Sequence, residues 1–151
     1  MTYSKTRLLA LTEQASARYG IPAGLLEGLI AHESGWNPAA IGRDAHSVDR
    51  GIAQINSRAH PDISQAEAED PAFAIPWAAR TLSEYAKECG GWEGALNRYN
   101  SGGCSGDASY AAAVLRAAKA YGYQPSAGTS PGLRLVLVLL LLGLVVAVLV
   151  S

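Results

Sequence analysis

The stretch PAGLLEGLIAHESGWNP, Pro22 to Pro38, decides the fold. Leu25, Leu26, Leu29 and Ile30 recur at helical spacing and make one apolar stripe. Ile21-Pro22 opens the run with the proline at a first-turn position, and Ser34-Gly35 and Asn37-Pro38 stop it. A carboxylate, Glu33, closes the apolar run, flanked by Ile30 and Trp36. Burial and the negative end of a helix dipole both disfavour its charged form, so its pKa is expected to rise. A glutamic acid tuned in this way can donate a proton near neutral pH.

Just downstream lies SVDRGIAQIN, Ser47 to Asn56. It brings Asp49, Gln54 and Asn56 on a Gly-hinged segment. Asp49 reads either as a second catalytic carboxylate, a nucleophile or cation stabiliser, or as a turn aspartate bonded to local backbone. Gln54 and Asn56 are amides able to grip the hydroxyl and N-acetyl groups of a sugar. Asp44 and Asp62 read as loop caps. One carboxyl that stays protonated, a second carboxylate and a set of amides are what cleavage of a glycosidic bond requires.

The rest of the chain reads as helical. MTYSKTRLLALTEQASARYG, residues 1–20, is an amphipathic helix without the continuous apolar stretch and cleavage site of a signal peptide. Asp70-Pro71 caps and opens a helix with Phe73, Trp77, Leu82 and Tyr85 on its buried side, which Gly90-Gly91 ends. Trp92 to Tyr99 is a further helix, ended by Tyr99-Asn100-Ser101-Gly102, and the Tyr99 hydroxyl is a candidate to point at Glu33. Asp107 caps a last helix through Tyr110, Val114 and Leu115 to Tyr121. Between Ala40 and His60 the periodicity fails, and the segment reads as a loop with a short hairpin or irregular strands. The fold class is mainly α, of α+β type, with a small extended insert facing the helices across a cleft.

The chain has 151 residues with 12 basic and 13 acidic side chains, a balance that calls for no nucleic acid. The aromatics are 3 Trp and 7 Tyr against 1 Phe, amphipathic rings that suit either carbohydrate faces or helix packing. His32, His46, His60, Cys89 and Cys104 lack zinc-ligand spacing, so no metal and no cofactor is expected. Cys89 and Cys104 flank the Trp92 helix. Either they bridge, contributing about 3 kcal/mol in the chain-entropy model, or they are two buried thiols.

Three zones follow: a folded domain over residues 1–123, a Pro/Gly/Ser-rich linker over 124–132, and an apolar tail over 133–151. Leu135 to Val150 carries no polar side chain. As a helix it is roughly 24 Å long, and Gly132, Leu133 and a snorkelling Arg134 extend it toward the thickness of a bilayer core. The tail reads as a transmembrane anchor, with a buried hairpin or an oligomerisation helix as the alternatives.

Taken together the strings resemble the soluble-lytic-transglycosylase domain of the lysozyme-like superfamily over most of Ile21 to Tyr121. The pieces stand in family order: PAGLLEGLIAHESGWNP, GIAQIN, DPAFAIPWAARTL, WEGALNRYNSG, then a Tyr-containing helix. The resemblance implies that Glu33 is the catalytic acid and that Ser34, Gln54, Tyr99 and Asn100 line the saccharide groove. It implies as substrate the glycan strands of peptidoglycan, cut between N-acetylmuramic acid and N-acetylglucosamine. SVDRGIAQINSR is also similar to animal-type lysozymes, in which an aspartate at the position of Asp49 is the second catalytic carboxylate. Both ring closure to a 1,6-anhydro product and hydrolysis therefore stay open, with ring closure favoured. A non-catalytic, membrane-tethered wall-binding module is the alternative to an enzyme. A wall-cutting domain with a lipid-bilayer anchor and no export signal suits a bacteriophage, in entry or lysis. It would then sit in a virion internal membrane or the host inner membrane, with other virion membrane proteins as further partners.

Overall fold

The computed structural model describes residues 3–106 and 108–125. The first helix, α1 (Lys5–Tyr19), starts where the Ser4 hydroxyl accepts from the Arg7 amide, and it ends at Gly20 in the left-handed region. It buries Leu8 and Ala15, while its buried Thr12 hydroxyl donates to the Leu8 carbonyl at 2.9 Å.

The central helix α2 (Leu25–Ser34) begins later than Pro22 predicts. Pro22 stays in the preceding turn, where its carbonyl accepts from the Leu25 amide at 3.1 Å. Leu25, Leu26, Leu29 and Ile30 are fully buried. The partner is the last helix, α6 (Ala108–Lys119), which buries Ala111, Val114 and Ala118. A Cβ on Gly28 would lie 2.6 Å from the Ala118 backbone, so glycine permits this close approach. Gly24 abuts the chain at Tyr121 to Tyr123, Gly28 abuts Ala118 and Glu33 meets Tyr110, an antiparallel register. Helix α6 stops at Lys119, short of the expected Tyr121, and a turn through Gly122 follows. Asp107, expected to cap it, lies outside the described residues.

The segment from Ala40 to His60 is a three-stranded antiparallel sheet in the order β1 (Ile41–Arg43), β2 (Val48–Arg50), β3 (Ile55–Asn56). Asp44 makes the first turn: its Oδ1 accepts from the amides of His46 and Ser47, both at 2.6 Å, and its Oδ2 from the Ser47 hydroxyl at 2.8 Å. Between β2 and β3 the chain turns at Gly51, whose φ is 73°. A Cβ there would collide with the Ala68 carbonyl, so the turn presses directly on the short helix α3 (Gln65–Glu69). Ile52, Ala53 and Ile55 then plug the sheet into the helical core.

The longest helix, α4 (Pro71–Glu88), has the expected cap: Asp70 Oδ1 accepts from the Ala72 amide at 3.1 Å, with Pro71 at the first position. Its buried stripe is Ala74, Ile75, Ala78, Ala79 and Leu82. Leu82 is therefore where the periodicity placed it, whereas Phe73, Trp77 and Tyr85 are only half-buried at the margin of the core. Small residues on the stripe let α1 and α5 approach closely, which displaces the large rings to the edge. Helix α5 (Trp92–Ser101) is bracketed by a Cys89–Cys104 disulfide, which resolves the open question about the two cysteines. Among the described residues no helix is long and apolar enough to cross a membrane. The linker beyond Pro125 and the proposed anchor lie outside the described residues.

Candidate active site

A cavity of about 590 Å³ opens between the sheet and the helices α2, α4 and α5. Glu33, Asp49, Gln54, Asn56, Tyr99 and Asn100 all line it, so six of the seven residues singled out in the sequence converge on one place. The seventh, Ser34, is not in the lining; its hydroxyl folds back to donate to the Ile30 carbonyl at 3.2 Å.

Glu33 sits in the last turn of α2, where Gly35 lets the chain leave the helix in the left-handed region. Its pKa is raised to about 7, chiefly because burial disfavours the carboxylate. The Asp49 charge pushes in the same direction, and a hydrogen bond from the Tyr110 hydroxyl to Glu33 Oε1 opposes both. Tyr110 is the site residue that sequence reading missed. It was placed on the last helix one turn before Val114, where a tyrosine reads as packing. Its ring also meets the His32 ring edge-on at 5.0 Å. The antiparallel register set by Gly28 and Ala118 carries the start of α6 to the end of α2.

The Tyr99 hydroxyl does not donate to Glu33 as expected. It donates to the Ala53 carbonyl at 2.9 Å, tying α5 to the β2–β3 turn. Burial, then the nearby Glu33 charge, push its pKa far up, so it is a neutral donor throughout. Trp77 packs between Tyr99 (6.3 Å between centroids) and His60 (4.8 Å), and the three rings make a continuous aromatic wall to the cavity. Such a wall offers a sugar an apolar face with polar edges.

Asp49 faces Asn56 across β2 and β3, and Asn56 Nδ2 donates to Asp49 Oδ1 at 2.7 Å. The other Nδ2 proton goes to the Ser47 hydroxyl at 2.9 Å, and Oδ1 accepts from the amides of Arg58 and Ala59. Asn56 is thus saturated by the protein and orients Asp49 in preference to gripping a ligand. Gln54 stands at φ 48°, unusual for a residue with a Cβ. Its Nε2 donates to the carbonyls of Gly51 (2.8 Å) and Ala40 (3.2 Å), which leaves Oε1 to accept from a ligand. Asn100 is exposed at the cavity edge. Among the described residues no group of three or more His, Cys, Asp or Glu is placed to hold a metal ion.

A mainly helical domain with a small sheet, and a buried glutamic acid in the lining of an aromatic-walled groove, is the arrangement of a lysozyme-like domain. The family model described as "Transglycosylase SLT domain" matches residues 10–121, and the chain belongs to that family. Protein IpgF of Shigella flexneri is 35% identical to it over 98 residues, covering 60% of this chain and 64% of that protein. Protein IpgF of Shigella sonnei matches to the same extent. The chain thus spans a little under two thirds of the length of these relatives. No solved structure matches it.

Proposed function

We propose that the chain cleaves the β-1,4 bond between N-acetylmuramic acid and N-acetylglucosamine in peptidoglycan, as a lytic transglycosylase. The observation that carries this is Glu33: a carboxyl poised at about 7 by burial, in the lining of a cavity of about 590 Å³. Its proton passes to the glycosidic oxygen as the bond to the muramic C1 breaks, releasing the N-acetylglucosamine end with a free hydroxyl. The resulting carboxylate then takes the proton of the muramic 6-hydroxyl, whose oxygen closes on C1. The acid is restored, and the product ends in a 1,6-anhydro ring. Tyr110 holds Oε1, Gln54 Oε1 and Asn100 are placed to meet sugar hydroxyls or amides, and Trp77 and Tyr99 supply the stacking face.

One observation favours a second outcome. Asp49 lines the same cavity, and its charge acts on Glu33. A carboxylate there can stabilise the oxocarbenium-like state while water completes the cut, as in a hydrolase. Mass spectrometry of muropeptides released from purified sacculi separates the two. Anhydro ends that persist in Asp49→Asn support ring closure, whereas reducing ends that vanish in Asp49→Asn support hydrolysis. Glu33→Gln should release nothing, and full release by that variant would sink both.

The apolar tail, residues 133–151, is proposed to tether the domain to a membrane, with residues 124–132 as spacer. A setting in phage entry or lysis rests on that tail alone, and the matched relatives are bacterial. Recovery of the full chain in the carbonate-soluble fraction of membranes would remove the tether.

A further inference from the structure

The cavity is electrically lopsided. Glu33, Asp44 and Asp49 stand among its lining residues, and Arg98 is the single lysine or arginine among the described residues that line it. Tyr99, the next residue on α5, and Tyr85 on α4 line the same cavity as Glu33 and Arg98. The Arg98 guanidinium lies over the Tyr85 ring at 4.4 Å from its centroid. The acid, the two tyrosines and the arginine therefore share one groove, with Arg98 packed on Tyr85.

Arg98 is held but not used up. It pairs with Glu88, whose side chain is 54% exposed, while its own is 30% exposed. An ion pair this open contributes little, and its carboxylate can be exchanged for another. The guanidinium has five donors in a planar fork, and among the described residues Glu88 is its one hydrogen-bond partner. Its contact with the Tyr85 ring holds the guanidinium against the groove wall, and the neighbouring Cys89–Cys104 bridge ties the two ends of its helix. A pre-oriented arginine at the edge of a groove matches a carboxylate better than a lysine would.

We propose that Arg98 selects acidic glycan strands, by taking a carboxylate carried on the muramic acid substituent while the sugar chain runs past Tyr99 to Glu33. The ligand chemistry is one carboxylate, and it has two sources: the stem peptide, or the lactyl group of a strand stripped of peptide. This assignment rests on the glycan-cleaving reading of the groove.

Equilibrium binding of soluble strands to the full chain, inactivated by Glu33→Gln so that nothing is cut, tests it. Four ligands are compared: stem-bearing strands, the same strands with stem carboxylates amidated, stripped strands, and neutral N-acetylglucosamine oligomers. Arg98→Gln should weaken the stem-bearing strand about tenfold relative to the neutral oligomer, the scale of one charge-assisted hydrogen bond. Glu88→Gln frees the guanidinium and should strengthen the same strand. A loss that amidation of the strand abolishes identifies the stem; a loss that persists on stripped strands identifies the lactyl group. If Arg98→Gln weakens neutral and acidic strands alike, or if the two variants shift binding in the same direction, the pair is only a tie between helices and the proposal is overturned. Turnover of sacculi by Glu33→Gln would instead refute the catalytic reading and leave the binding result to be read by itself.

Discussion

At the scale of single residues the chemistry hangs on what surrounds Glu33. With a pKa of about 7 in the folded protein against about 4.3 in an unfolded chain, the protonated side chain contributes stability that is complete below about pH 4 and lost as pH rises through 7. Glu33→Gln removes that loss. The variant should be inactive yet more stable than the parent at pH 8, by roughly 4 kcal/mol at most, and nearly equal to it at pH 4. Urea denaturation at the two pH values checks this. Activity of the parent should fall as pH rises through about 7, because the acid must hold its proton. Tyr110→Phe removes the hydrogen bond that lowers the Glu33 pKa and should move this alkaline limb to higher pH; Asp49→Asn removes a charge that raises it and should move the limb lower. Opposite shifts in the pH–rate profiles are the expected result. The perturbed acid was readable in the sequence because its largest cause, burial, is signalled locally by the apolar helix that carries it. Tyr110 was not, because the two residues stand 77 positions apart and only helix packing joins them.

At the scale of elements, α2 and α6 are the pair that matters. Their close approach at Gly28 and Ala118 sets the register that delivers Tyr110. Gly28→Ala forces the helices apart, and overpacking of this kind costs about 1–3 kcal/mol. It should also weaken the Tyr110 contact, so the alkaline limb should shift in the same sense as in Tyr110→Phe. A stability loss with an unmoved limb would uncouple the two effects. The start of α4 was readable from sequence because its cap at Asp70 is a contact over two residues, whereas the Ser4 cap that starts α1 was not singled out. The start of α2 was misread because Gly24 is held there by the distant segment 118–123, not by local preference. The buried side of α4 was misread for a related reason. Hydrophobicity favours Trp77 and Tyr85 for the interior, but the closely packed stripe is filled by Ala74, Ala78 and Ala79 beside Ile75 and Leu82, and the two rings are left to face the groove.

At the scale of the molecule, one continuous core runs from Leu8 through α2 and the sheet plug to α6, and the groove is cut along its edge. The mainly helical class was visible in the sequence, and the loss of periodicity between Ala40 and His60 marked the insert, read as a short hairpin or irregular strands, that is a three-stranded sheet. The polarity of the groove was not visible, since Arg98 and Glu33 share no sequence neighbourhood and each reads alone as a helix charge. The disulfide adds a condition on where this architecture is reached. Both cysteines of the described chain are in the Cys89–Cys104 bond, and no free cysteine remains. Reducing it should lower stability by about 3 kcal/mol, as read from the shift of the urea midpoint with and without dithiothreitol. Closing it removes two electrons, so every mature molecule needs an electron acceptor at its birthplace. Protein made in a thiol-rich cytoplasm should therefore titrate with two reactive sulfhydryls under denaturing conditions, and protein matured in an oxidising compartment with none.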